Sequence, residues 1–494
     1  MRFRTRAGSI VIAAAALVAG PMMAAAPAGA APVDAAPILN ALVVVQPGVQ
    51  LPLSVPGGRV LDVFDRLGSE FVRAPAPALA ALAADPRVAG VSPDRAGHVS
   101  GNSYGGRRAG VFASDWLGGA AGRAGTGQGV NVALLDTGVS DTPALNRASG
   151  RITDGVDVST LSEGGDARTS GQFTDGYGHG TFLASLIAGG PVDGSGSDAL
   201  GVAPAARIVV VKVADDQGDT TLAQVLAGLD WVAAHAQGPD GQQMIQVLNL
   251  ALSVPRPTAP AYGADPLTVA VEHVRDAGVL VVAAAGNTPD EVGDPGMAPQ
   301  ALTVGAADLS GPKPQVASFS GSGIVAGVSK PDVVASGVRL LGLVPRQSAI
   351  AQENPSGWQS NGLFRGSGTS ESTAVASGVA AAWLSDNPDV TPEQAKGALR
   401  AAATGVAGAG TRSGAGLLHL VTGHGATMSA DGSATRDLGE SGFDADAWQR
   451  DAWNPDGAGT GWESWLASSW SASSWSASSW SASSWSSYGW GDAA

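Results

Sequence analysis

The sequence predicts an α/β protein, a layered domain with a mainly parallel sheet flanked by helices. Three observations predict it. Five segments, Val130 to Leu135, Ala206 to Val213, Met244 to Ala251, Gly278 to Ala285 and Ala301 to Gly305, are nearly continuous in apolar residues, as strands are when both sheet faces are covered. Helix-patterned segments alternate with them, at His179 to Ala188, Thr221 to Ala236, Leu267 to Asp276 and Ser370 to Leu384. With 494 residues, 44% of them hydrophobic, the chain can bury a core of that size and has length left for additions.

From the N-terminus, Arg2, Arg4 and Arg6 precede an apolar stretch from Ile10 to about Gly20 and small residues ending in Ala28-Gly29-Ala30. This is the pattern of a secretory signal, so residues 1–30 are read as a signal peptide and the protein as secreted, extracellular or associated with the cell envelope. Gly20-Pro21 interrupts the stretch short of the roughly 20 apolar residues a spanning helix needs, and no transmembrane segment is expected in the mature chain. Residues 31–105 form a small block of their own. It holds a strand at Ala41 to Val45 closed by Gln46-Pro47-Gly48, helical patterns at Val60 to Leu67 and Pro77 to Ala84, then a turn, a short strand and a loop in "DPRVAGVSPDR". A unit so small is marginal alone and reads as an appendage.

Residues 106–426 carry the strand-helix alternation. They close on a helix announced by Thr391-Pro392-Glu393-Gln394, where threonine caps, proline fills the first turn and glutamine completes a capping box. From 427 to 494 the composition collapses to Gly, Asp, Ser and Ala, with tryptophans at 465, 470, 475, 480, 485 and 490. A period of five suits neither a strand face nor a helix face, so this tail is read as disordered. Its evenly spaced indoles suit stacking on sugars or docking on a cell-wall partner; an inert tail is the alternative.

Charge and cysteine content exclude whole classes. A net charge of -15 opposes polyanion binding, so no nucleic-acid partner is expected. With Cys 0, disulfides, a thiol nucleophile and Cys-ligated zinc are all ruled out.

In parallel sheets chemistry gathers beyond the carboxyl ends of the strands, and four polar groups stand at such ends. Strand Val130 to Leu135 runs into Asp136-Thr137-Gly138; His179 lies between two glycines at the start of its helix; strand Gly278 to Ala285 leaves through Gly286-Asn287; Ser370 opens a helix. Each alone has a plain structural explanation as a turn, a core histidine, a loop or a helix cap. Together they suit one chemistry: His179 as base for the Ser370 hydroxyl, Asp136 fixing the imidazole tautomer, and the Ser370 N–H with the Asn287 amide as an oxyanion site.

With these residues in this order, the chain resembles the subtilases, the subtilisin-like serine endopeptidases. The resemblance rests on "TGQGVNVALLDTGVS", "DGYGHGTFLASLIAGG", "LNLALS", "VLVVAAAGN", "ALTVGAAD", "VASFSGSG", "KPDVVASG" and "GSGTSESTAVASGVAAAWL", in the expected order through the central block. It implies a subtilisin-like three-layer domain, Asp136, His179 and Ser370 as the triad, and Asn287 as oxyanion donor. It further implies that Leu250, Ala251, Leu252 and Ser253 line the cleft and pair with an extended peptide or protein substrate, while Ala284, Ala285 and Gly286 border the pocket for the residue before the cut. The small N-terminal block is implied to be a ferredoxin-like α+β prosegment that assists folding and caps the site, cut between His98 and Gly125. No cofactor is required by this chemistry; structural calcium is frequent in the family, but the acidic loop Asp215 to Asp219 lacks an EF-hand spacing and the metal is left unassigned.

Two positions depart from the family pattern beside the serine: Glu371 replaces the usual methionine and Ala374 the usual proline. In the cleft strand, Ala251 and Ser253 replace serine and glycine. A first-turn carboxylate such as Glu371 suits the helix dipole, and its charge would also raise the pKa of His179. The rival function is a catalytically silent subtilase-like scaffold that binds envelope peptides or glycans, partly through the tail.

Overall fold

The computed structural model describes residues 36–99, 103–104, 113, 125–161, 173–192, 199–254, 265–325 and 327–419. The signal pattern, the tryptophan tail and most of the stretch expected to be cut lie outside them. The chain divides into residues 1–37 and 38–494, and all the helices and strands described belong to the second unit.

Its N-terminal part is a four-stranded antiparallel sheet. β1 (Ile38–Val45), β2 (Arg59–Phe64), β3 (Ser69–Pro75) and β4 (Val88–Pro93) lie in the spatial order β2-β3-β1-β4, with α1 (Ala76–Ala83) between β3 and β4. That is the strand order of a ferredoxin-like unit, with a loop where the first crossover would carry a helix. The expectation of a helix over Val60 to Leu67 is corrected: the segment is strand β2 and then a 3-10 turn, Asp65–Leu67. Eight residues are too few to hold a helix by themselves, whereas Val60, Val63 and Phe64 suit a strand that β3 can pair, with a bulge between Val60 and Asp62. β5 (Ala96–His98) leaves this sheet, and β6 (Ser103–Tyr104) follows.

The central part opens with β7 (Asn131–Asp136), β8 (Ile152–Asp157) and α2 (His179–Ala188). β9 (Arg207–Lys212), β10 (Asp219–Thr221), α3 (Leu222–His235), β11 (Val247–Leu250), α4 (Pro266–Asp276), β12 (Leu280–Ala284) and β13 (Leu302–Asp308) come next. After the short strands β14 (Gln315–Val316), β15 (Gly323–Val325), β16 (Val328–Lys330), β17 (Val333–Ser336) and β18 (Leu340–Gly342) come α5 (Ala349–Glu353), β19 (Phe364–Ser367), α6 (Thr369–Asp386) and α7 (Pro392–Ala402). An eight-stranded sheet runs β14-β13-β12-β11-β7-β9-β8, with β17 also on β13. Every pairing in it is parallel except β13 with β14.

Both faces of the sheet are covered, which is why its strands read as unbroken apolar runs. One face packs with α2 and α6 through Val132, Leu134, Phe182 and Val379; the other packs with α3 and α4 through Ala133, Leu135, Val225 and Val271. Leu42, Phe64 and Phe71 of the N-terminal sheet, with Leu67 of its 3-10 turn, belong to that second cluster. Polar contacts pin the same junction. Asp94 Oδ1 accepts from Ala223 N–H at 2.9 Å in the first turn of α3, and Asp230 accepts from Arg66 N–H at 2.8 Å. The capping box foreseen for α7 is formed by Thr391 and Gln394.

Candidate active site

Asp136 is the last residue of β7, so its carboxyl emerges at the carboxyl edge of the sheet while remaining fully buried. Oδ1 accepts from the Thr137 N–H at 2.8 Å, and the Thr137 hydroxyl lies 3.1 Å from it. His179 opens α2, and its Nδ1 stands 2.9 Å from both Asp136 oxygens, donating to the carboxylate. The glycines around it are required by space. Gly178 sits at φ 106°, a left-handed conformation costly for other residues, and a Cβ on Gly180 would collide with Gly138 O. Burial works against the imidazolium, but the Asp136 carboxylate and its hydrogen bond outweigh it and raise His179 above its ordinary value, Glu371 and Asp175 adding to the effect.

With Nδ1 committed to Asp136, Nε2 is left as a buried acceptor with no hydrogen-bond partner among the described residues. Ser370 is the second residue of α6, which packs against α2, and its hydroxyl donates to Ala251 O at 3.1 Å. Asn287 follows β12 by three residues; its Oδ1 accepts from Thr369 N–H at 2.9 Å and from the Thr369 hydroxyl at 3.0 Å. This leaves the two Nδ2 hydrogens uncommitted to Thr369. Two strand ends and two helix starts thus bring Asp136, Asn287, His179 and Ser370 to one edge of the sheet.

The expected cleft residues divide. Leu250 and Leu252 point into the core, whereas the Ala251 carbonyl meets Ser370 and Ser253 pairs antiparallel with His98. Ala284, Ala285 and Gly286 leave β12 beside them: Gly293 donates to Ala285 O at 2.9 Å, and a Cβ on Gly293 would stand 2.5 Å from Ser253 Oγ. β5 is a strand laid along this edge. It pairs antiparallel with β10 on one side, and His98 bridges Ser253 on the other. A Cβ on Gly97 would stand 3.2 Å from both Thr220 Cγ2 and Val254 Cγ2, so the strand has neighbours on both flanks.

Two further carboxyls bear on the site. Asp175, four residues before His179, accepts from Gly178 N–H, Thr181 N–H and the Thr181 hydroxyl at 2.6, 2.7 and 2.7 Å, holding the first turn of α2; burial raises its carboxyl. Sequence reasoning missed it, although an aspartate just ahead of a helix is a cap signal. Glu371, in the first turn of α6, is fully buried with neither oxygen hydrogen-bonded, and burial lifts it to about 7 against the pull of His179.

In the loop Asp215 to Asp219, Asp215 accepts from the Gln217 and Asp219 N–H groups, Asp216 pairs with Lys212 at 3.1 Å, and Asp219 stands 2.9 Å from His98 Nδ1. Among the described residues no three His, Cys, Asp or Glu side chains converge as a metal site, and no helix is long and apolar enough to cross a membrane.

Comparison with known proteins gives consistent results. Residues 127–425 match the family model described as the subtilase family. The chain is 36% identical over 287 residues to the serine protease AprX of Bacillus subtilis (strain 168), covering 56% of this chain and 61% of that protein. It is 34% identical over 280 residues to subtilisin Savinase of Lederbergia lenta, covering 56% of this chain and 85% of that one. The chain thus spans about three fifths of the length of AprX. Among solved structures, fervidolysin from Fervidobacterium pennivorans, described as a keratinolytic enzyme related to subtilisin, overlays with a TM-score of 0.57 at 22% identity. That overlay covers 78% of this chain and 60% of that one, a likeness of fold.

Proposed function

The chain belongs to the subtilase family, and from that premise we propose that it is a secreted serine endopeptidase acting through an acyl-enzyme on Ser370. The observation that carries this is a buried imidazole held by a carboxylate at Nδ1 and bare at Nε2, on a helix packed against the one whose first turn carries Ser370. In the reaction the Ser370 hydroxyl leaves Ala251 O and gives its proton to Nε2 as the oxygen attacks the substrate carbonyl carbon. Asp136 stabilises the imidazolium, which then protonates the departing amine; water repeats the sequence to release the acid. The Ser370 N–H and Asn287 Nδ2–H receive the negative oxygen of the tetrahedral intermediate, each such donor contributing about 3 kcal/mol.

The N-terminal sheet is a prosegment under this reading, supported by the strand that follows it: β5 pairs antiparallel with β10 and bridges Ser253 through His98, the kind of backbone pairing a peptide substrate makes. Residues 1–30 direct export, the cut falls between His98 and Gly125, and the indoles of residues 427–494 serve retention on a cell-wall glycan. A fluorophosphonate probe applied to protein made from the full chain should modify Ser370, peptides should be cleaved, and Ser370→Ala should abolish both. Absence of labelling and cleavage in the wild type overturns the endopeptidase reading in favour of a silent scaffold.

A further inference from the structure

His98 is held by more than its backbone. Its Nδ1 stands 2.9 Å from Asp219 Oδ1, its Nε2 stands 3.1 Å from the Tyr177 hydroxyl, and the two rings meet edge to face with centroids 5.5 Å apart at 78°. Burial holds the Tyr177 phenol well above its ordinary value, so its hydroxyl remains a donor. A neutral imidazole carrying its proton on Nδ1 then donates to Asp219 and accepts from Tyr177, with no polar atom of the ring unmet. Gly218 makes room for this arrangement: at φ 83°, a Cβ there would stand 2.8 Å from the Tyr177 ring and 3.0 Å from His98 Cε1. None of these three enzyme-side residues takes part in the chemistry at Ser370.

The strand register says which substrate residue would occupy the same place. His98 pairs with Asp219 and bridges Ser253, while the next N–H, that of Val99, donates to Gly218 O at 2.8 Å. Ala251, whose carbonyl accepts from Ser370 Oγ, lies two residues before Ser253. In an antiparallel pairing, the residue facing Ala251 is therefore two positions after the one in the place of His98. A side chain lying where His98 lies belongs to the third residue upstream of the bond attacked.

We propose that Tyr177 and Asp219 form a specificity-determining clamp that selects an imidazole side chain at the third substrate residue before the cut. The proposal rests on the endopeptidase reading and deepens it. The clamp is shallow, with 37% of the His98 side chain and 71% of that of Asp219 exposed, so the preference is modest. It should favour histidine over alanine by about fivefold in kcat/KM. Glutamate, repelled by Asp219 and unable to meet both partners, should be the poorest residue there.

The test uses protein produced from the full chain and peptides that differ only at that position: His, Ala or Glu. A His-to-Ala ratio of about five that falls toward one in Tyr177→Phe and Asp219→Asn supports the clamp. A ratio of one or less in the wild type overturns it, as does a ratio that both variants retain. Cleavage at rates indifferent to this residue, with Ser370 still labelled by the probe, overturns the clamp and leaves the endopeptidase standing. No cleavage and no labelling overturns both.

Discussion

Of the buried carboxyls that bear on the His179 imidazole, Asp136 and Glu371 are built differently. Asp136, at the end of β7, has its oxygens met by the His179 ring and the Thr137 N–H. Glu371, at the start of α6, has neither oxygen hydrogen-bonded, and burial lifts it to about 7. Its Oε1 lies against Gly366, where a Cβ would stand 2.7 Å away. Donor contacts are not the whole difference, since Asp175 meets four donors, the Thr137 hydroxyl among them, and is still raised by burial. What sets Asp136 apart is direct contact with a ring that can carry positive charge. A carboxyl so placed orients a base, whereas one packed without donors gives up its charge near neutrality.

Disrupting the carboxyl that meets the ring should have the largest effect. Asp136→Asn keeps the shape at the end of β7 but no longer holds the proton on Nδ1, so Nε2 loses its acceptor role. We expect kcat on a peptide substrate to fall about 10⁴-fold, with the thermal midpoint little changed. A loss of less than tenfold would mean that His179 does not depend on Asp136 for its tautomer.

Between the two extremes stands a carboxyl that is buried and yet has partners. Asp94, docked on the first turn of α3, is lifted by burial to about 6, against the Ala223 N–H, the Thr221 hydroxyl and Arg95. Between its ordinary 3.8 and that value, the folded chain holds a proton the unfolded chain has released, so stability falls as pH rises through this window. Asp94→Asn keeps the acceptor for Ala223 without the charge. In a Ser370→Ala background, which prevents self-cleavage, the variant should gain on the order of 1–3 kcal/mol relative to its parent between pH 4 and pH 8, read by thermal unfolding at both. Equal differences at the two pH values would show that Asp94 does not titrate in this window.

The smallest effect is expected from the bare carboxyl itself. The charge of Glu371 is one of those raising His179, so Glu371→Gln should move the acidic limb of kcat/KM to lower pH by about half a unit. Native Glu371 also binds its proton more tightly than an unfolded glutamate, so the same variant should flatten any loss of stability between about 4.5 and about 7. An acidic limb that stays where it was would show that the two groups titrate independently.

How far the sequence could be read follows from the range of each interaction. The strands of the central sheet were legible because burial on both faces leaves a continuous apolar run, and the Thr391 box was legible because it spans only four residues. Asp136, His179, Asn287 and Ser370 stood out because each leaves or enters a regular element close to a glycine. β2 was misread because a short run of Val, Asp and Phe takes its structure from pairing with β3. The Tyr177–Asp219–His98 contact had no local signal, since His98 and Asp219 are 121 residues apart.

The amino-acid order alone therefore specified most element types, the edge of the sheet at which polar groups gather and the succession in which they come along the chain. These follow from local periodicity and capping, which act over one or two turns. Packing was needed to establish that β5 lies between β10 and Ser253, that Glu371 is buried without a donor, and that Nε2 of His179 is the bare nitrogen. Each of those depends on which distant segments exclude water from one another, and desolvation is a property of the packed molecule rather than of any stretch of its chain.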